Sequence, residues 1–108
     1  MKHEVTRTED RIIIALNGEI DLESSPEARE LLLGSVAGEK SLLVDLSAVT
    51  YIDSSGVASL VEALKAAREN GTRFALAAAS EPARRVLELA RLDKVFTMYD
   101  TIDDALNA

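Results

Sequence analysis

The chain contains no cysteine. That one absence excludes disulfide staples, thiolate nucleophiles and thiolate-held metals. Histidine is almost missing too: His3 stands alone, so a His-based metal site or a Ser-His-Asp triad is poorly supplied. Basic residues are outnumbered, with 12 Lys and Arg against 19 Asp and Glu and a net charge of -7. No basic cluster with interleaved aromatics interrupts that balance, so direct nucleic-acid binding through phosphates is not expected. No apolar run approaches the roughly 20 residues that span a bilayer, and Met1-Lys-His-Glu opens no signal-peptide apolar region. Together these gaps predict a soluble, cytoplasmic protein without membrane insertion.

What is present is globular in kind. The 108 residues are 47% hydrophobic and 29% charged, which suits one domain over residues 1–108 with a core of its own. No repeat, linker or low-complexity segment divides it.

The organising stretch runs from Leu42 to Leu64. A short apolar run, Leu42 to Leu46, has the length of a buried strand. Val57, Leu60, Val61 and Leu64 then fall at i, i+3, i+4 and i+7, the spacing of one helix face. Between them lies Asp53-Ser54-Ser55-Gly56. Ahead of this stretch, residues 2–7 predict an exposed edge strand, joined by a turn at 8–10 to a strand over Ile12–Leu16 buried on both faces. Gly18 to Ser25 reads as a loop. Ser25 then predicts an N-cap with Pro26 at the first helical position; Gly34 is expected to permit close packing and Gly38 to cap the C-terminus. Asn70-Gly71 ends the helix after Gly56. Arg73 to Ala79 predicts an Ala-rich strand packed closely under something. Ser80-Glu81-Pro82 starts the next helix, 95–98 a short last strand, and Thr101 to Asp104 a capping box before a brief terminal helix.

Strands alternating with helices imply a largely parallel sheet after an initial antiparallel hairpin. The loops at 18–25, 50–56 and 79–81 then share the carboxyl edge, where open α/β sheets bind ligands. That edge carries Glu19, Asp21, Glu23, Ser24, Asp53, Ser54, Ser55, Ser80 and Glu81.

Four chemistries compete for it. Asp53 or Ser54 can simply cap a helix, with Gly56 letting it pack near the strand. A nucleophilic serine in a strand-to-helix elbow needs Gly two residues before Ser54, where Ile52 stands, and a base that this chain does not place nearby. An oxygen-ligated metal site at Asp21 and Asp53 lacks the partner Lys that receiver-type domains carry across the cleft. A phosphoacceptor at Ser54 would put its phosphate at a helix N-terminus, where dipole and free N–H groups favour it. Such a group adds about -1.5 to -2 charge to an edge already acidic.

The ordered set Gly18-Glu-Ile-Asp21, Leu43-Val-Asp-Leu46, Tyr51-Ile-Asp-Ser-Ser-Gly56 and Ser80-Glu-Pro-Ala-Arg-Arg-Val-Leu87 resembles the STAS domain family, and within it the single-domain anti-sigma factor antagonists. The chain departs from the family pattern at Val57-Ala58, where a second glycine is usual, and at Ala90-Arg91-Leu92, where Thr-Gly-Leu is familiar. The resemblance implies an α/β fold of STAS type: a mixed, mainly parallel four- to five-stranded sheet with an N-terminal hairpin and about four helices. It also implies a non-enzymatic monomer without cofactor or metal. By its pattern, Ser54 is phosphorylated by an anti-sigma factor that is also a GHKL-type serine kinase, and a phosphoserine phosphatase reverses this. The unphosphorylated form binds the anti-sigma factor and releases a sigma factor. The partner surface carries over to Glu19, Asp21, Asp53, Ser55, Gly56 and Ser80. The family's other uses, as soluble subunits of lipid-transport ABC complexes or as signalling scaffolds, stand as the alternative.

Overall fold

A computed structural model of the chain describes residues 1–108. Its elements run in the order β1 (Lys2–Arg7), β2 (Arg11–Ile20), α1 (Ser25–Val36), β3 (Ser41–Asp45), β4 (Val49–Ile52), α2 (Ser54–Asn70), β5 (Phe74–Ala77), α3 (Glu81–Leu89), β6 (Met98–Tyr99) and α4 (Ile102–Leu106). β1 and β2 form the antiparallel hairpin, and β3, β5 and β6 follow in parallel in the order β1-β2-β3-β5-β6. The α/β class holds. The strand number rises to six because β4 is a strand of its own, pairing in parallel with the far end of β2.

That short strand shapes the working edge. β2 reaches Ile20 instead of ending at Leu16, so only residues 21–24 of the expected loop remain irregular. Gly18 makes the extension possible: it adopts φ 87°, a left-handed conformation that costs glycine nothing, and the register slips by a bulge between Gly18 and Glu19. Beyond the bulge Glu19 pairs with Tyr51 and Ile20 with Ile52. Four residues with Thr50 and Tyr51 exposed and only Val49 and Ile52 buried give too weak an alternation to announce a strand.

β2 does not bury both faces equally. Ile12, Ile14 and Leu16 are buried in the main core with Leu42, Val44 and Leu76 of the neighbouring strands and Leu60 of α2, beneath α1, α2 and α3, while Ile13 and Ala15 are half-buried. On the second face Leu43 and Ala77 are buried with Ala105 of α4, so the Ala-rich strand lies closely under that helix as its composition implied. No helix is long and apolar enough to cross a membrane.

Helix ends differ from expectation in instructive ways. Ser24, not Ser25, occupies the N-cap position of α1, and its side chain makes no cap bond because its hydroxyl is engaged elsewhere. Gly38 is not a cap. The helix ends at Ala37, and Asn70 Nδ2 and Thr72 Oγ1 donate to the Val36 carbonyl, each at 2.9 Å. Gly34 is exposed with open space above it, so it does not serve close packing. The strand read over 73–79 ends at Ala77, where Ala78 turns to φ 54°; the last strand begins at Met98, after turns that bind Val95 and Phe96 back to Leu92. α2 closes as predicted, with Gly71 at φ 73° and Thr72 N–H bonded to the Ala67 carbonyl. α3 closes by the same motif, Leu92 N–H to Leu87 and Arg91 N–H to Glu88, but the left-handed residue is Arg91 at φ 59°. A glycine would take that conformation at no steric cost, and this chain does without one.

Candidate functional site

Two turns stand side by side at the carboxyl ends of β2 and β4. In the first, Asp21 Oδ1 accepts from Glu23 N–H at 3.1 Å, Ser24 N–H at 3.0 Å and Ser24 Oγ at 3.1 Å. Ser24 Oγ accepts from Asp21 N–H at 2.9 Å and also reaches the Glu19 carbonyl at 3.0 Å, which is why it is not free to accept from the first N–H groups of α1. In the second, Asp53 Oδ1 accepts from Ser55 N–H at 3.0 Å, Gly56 N–H at 3.2 Å and Ser55 Oγ at 2.5 Å. Asp53 is therefore the N-cap of α2. The turns are joined: Asp53 N–H donates to the Ile20 carbonyl at 3.2 Å.

Both carboxylates are held below their ordinary pKa of 3.8. For Asp21 the main cause is the Ser24 backbone N–H, then its hydroxyl; for Asp53 it is the Ser55 hydroxyl, opposed by partial desolvation and helped by the N–H groups of Gly56, Ser55 and Leu22. The negative charge of Asp53 pushes back on Asp21. At neutral pH the edge therefore carries two fixed negative charges. Neither suits a general base, which works best with a pKa near the operating pH.

The two serines after Asp53 have opposite fates. Ser55 is half-buried with its hydroxyl committed to Asp53. Ser54 is exposed, opens the helix, and its hydroxyl takes part in no hydrogen bond. Gly56 is buried: a Cβ there would come within 2.8 Å of the Ile20 carbonyl oxygen and 2.7 Å of Ile52 Cγ1. Helix α2 thus starts in near contact with β2 and β4, an approach that only glycine permits.

Of the expected surface residues, Glu19, Asp21, Asp53, Ser54 and Ser55 are brought together by these bonds. Ser80 makes no hydrogen bond to either turn. It caps α3 by accepting from Ala83 N–H at 3.3 Å, and its own N–H goes to the Leu46 carbonyl. Two residues escaped the sequence reading. Leu22, at the tip of the first turn, is 75% exposed, and Tyr51, the register partner of Glu19, is 49% exposed. An apolar residue inside the acidic run Glu19–Glu23 was the available signal for Leu22. No three His, Cys, Asp or Glu side chains converge as a metal site would require.

The STAS domain model matches residues 2–105. The anti-sigma-F factor antagonist RsfB of Mycobacterium tuberculosis is 32% identical over 87% of this chain and 77% of its own length. The anti-sigma-B factor antagonist of Listeria monocytogenes is 32% identical over 82% of this chain and 79% of its own. The crystal structure of an anti-sigma factor antagonist from Mycobacterium paratuberculosis superposes with TM-score 0.88 at 32% identity, covering 98% of this chain and 91% of that one. With a model match spanning nearly every residue and relatives at this level of identity, the chain belongs to the STAS domain family.

Proposed function

We propose that this single domain is an anti-sigma factor antagonist switched by phosphorylation at Ser54. In the unphosphorylated form it binds an anti-sigma factor with GHKL-type serine kinase activity and so releases a sigma factor. The observation that carries the reading is the free, exposed hydroxyl of Ser54 beside the committed hydroxyl of Ser55. The names of the relatives support the antagonist role.

The chemistry is divided between two proteins. This chain supplies a nucleophile on a rigid helix start and no base, since Asp53 Oδ1 already accepts three hydrogen bonds. The base belongs to the kinase. Once added, the phosphate is tolerated by the chain itself, because it sits at the positive end of a helix of 17 residues. It is not tolerated by a bound partner, because its charge joins those of Asp21 and Asp53. A loss of about 4 kcal/mol in binding corresponds to roughly a thousandfold in affinity. In the resting complex, Leu22 and Tyr51 provide apolar contact and the acidic groups provide orientation.

The test uses the cognate kinase and radiolabelled ATP. Ser54→Ala should take up no label yet bind the partner as wild type does, Ser55→Ala should still be labelled, and Ser54→Asp should bind at least tenfold more weakly. Labelling of Ser54→Ala at the wild-type rate would sink the assignment. A transport or scaffold role forecasts instead co-purification with an ABC ATPase in a stoichiometry that ignores Ser54.

A further inference from the structure

The second face of the sheet, at the end opposite Ser54, carries an arrangement that the antagonist role does not use. Strand alternation places Arg11, Ser41 and Arg73 on that face, and the register sets them in one row: Arg11 pairs with Ser41, and Leu42, the next residue along, pairs with Phe74, the residue after Arg73. The two arginines are therefore two strand spacings apart, about 10 Å, with Ser41 between them. Below this row lie Leu43 and Ala75, and Ala105 of α4 forms a wall. These residues line a cavity of about 290 Å³. The volume is near the lower limit of small-molecule sites, and the lining, apolar with a few convergent polar groups, is of the usual kind.

The charges are the part that points to a ligand. The chain's ion pairs engage His3, Arg29, Arg84 and Arg85, and Arg68 donates to the Val95 carbonyl. The guanidinium groups of Arg11 and Arg73 have neither an ion pair nor a hydrogen bond, as is also true of the side chains of Lys2, Arg7, Lys65, Arg91 and Lys94; what sets these two apart is that they line one cavity. The strand acids on the same face, Glu4 and Asp45, both lie in the row of Ala15, away from Arg11 and Arg73, and Asp45 Oδ1 accepts from Ser47 N–H at 2.9 Å. Two guanidinium groups, each a rigid fork of donors that matches a carboxylate or phosphoryl group, thus line an apolar floor closed by Ala105 and Ala108, and neither has a bonded partner within the chain.

We infer that this cavity binds a small amphipathic organic anion, its apolar body on Leu43 and Ala75 and its carboxylate or phosphoryl group between Arg11 and Arg73. The Ser41 hydroxyl, in the middle of the row, is placed to donate to the same group. The site is independent of the Ser54 switch, which sits at the other end of the strands.

The experiment is a fluorescence titration of the full chain with anilinonaphthalene sulfonate, an aromatic anion, alongside phenylnaphthylamine, its uncharged counterpart. Saturable binding of the anion is expected, at least tenfold weaker in Arg11→Gln/Arg73→Gln and weaker in wild type as salt is raised. The melting temperature of the double variant should match wild type, since neither guanidinium bonds within the chain. Displacement of the probe by octanoate would assign an aliphatic body and displacement by phenyl phosphate an aromatic one. Amide shifts on wild type, confined to the segments around Leu43 and Ala75, would locate the site without any substitution. Equal affinity of wild type and double variant, equal binding of the uncharged probe, displacement by neither anion, or shifts centred on Leu22 or Leu89, both exposed apolar side chains outside the cavity, would each overturn the inference.

Discussion

The turn after β2 and the turn after β4 are built on one plan and put to different uses. Each begins with an aspartate whose Oδ1 gathers two backbone N–H groups and one serine hydroxyl, and each leads into a helix. Each also leaves the residue directly after the aspartate exposed: Leu22 in the first, Ser54 in the second. What differs is the third residue after the aspartate. In the first turn it is Ser24, whose hydroxyl binds back into the turn; in the second it is Gly56, which lets the helix close on the sheet. The same carboxylate device therefore yields an apolar tip on a separate loop and a hydroxyl on a helix anchored to the core. A contact residue can sit on the former. A residue that must accept a bulky charge without moving its surroundings is better placed on the latter.

The most severe way to break this distinction is to remove the glycine. Gly56→Ala would push a methyl group against the Ile20 carbonyl oxygen, which is backbone and cannot step aside cheaply. The better helix propensity of Ala offsets only part of that overpacking. A net loss of about 2 kcal/mol, roughly 10 °C in melting temperature, is expected by thermal denaturation. An unchanged melting temperature would show that α2 does not depend on near contact with the strands.

How much of this could be seen in the residues alone depends on what each signal measures. Gly56 was legible as a packing glycine and Asp53 or Ser54 as a cap, of which the structure takes Asp53, because all three belong to a strand-loop-helix pattern with sharp local rules. The hairpin, the parallel strands and the Thr101 and Ser80 caps were legible for the same reason. β4 was not, since pairing with β2 depends on the bulge at Gly18, a tertiary event. The Ser24 cap position was missed because Ser24 and Ser25 are equivalent as letters; only the competition of Asp21 and Glu19 for the Ser24 hydroxyl separates them. Ser80 was grouped with the edge by topology, and its N–H bonds the Leu46 carbonyl just past the end of β3.

A change of intermediate size sharpens the division of labour between the two tips. Leu22→Ala should leave the melting temperature within a degree or so of wild type, because the side chain is 75% exposed. It should weaken binding to the anti-sigma partner about tenfold, the effect of truncating an apolar anchor. Ser54→Ala should leave the same affinity unchanged. Calorimetric titration of both variants checks the pair. Equal losses for the two would mean that the first turn is not the adhesive one.

The smallest effect tests whether the turns are electrically linked. A carboxylate with a lower pKa in the folded than in the unfolded chain stabilises the fold above the unfolded pKa, and that contribution disappears as pH falls through the folded value. Asp21 and Asp53 are both of this kind, with an ordinary value of 3.8 as the upper bound of the window. The difference in melting temperature between wild type and Asp53→Asn should therefore be constant from neutral pH down to about 4 and shrink below it. Asparagine keeps an oxygen that can accept from Gly56 N–H and loses only the charge. Because the Asp53 charge raises the pKa of Asp21 against the pull of the Ser24 N–H, the same substitution should move the Asp21 titration to lower pH. Following the Asp21 carboxyl carbon by NMR reads this directly. A midpoint that stays in place would show two separate turns that happen to be neighbours; a midpoint that falls would show one acidic edge, sensing at Asp21 what is done beside Asp53.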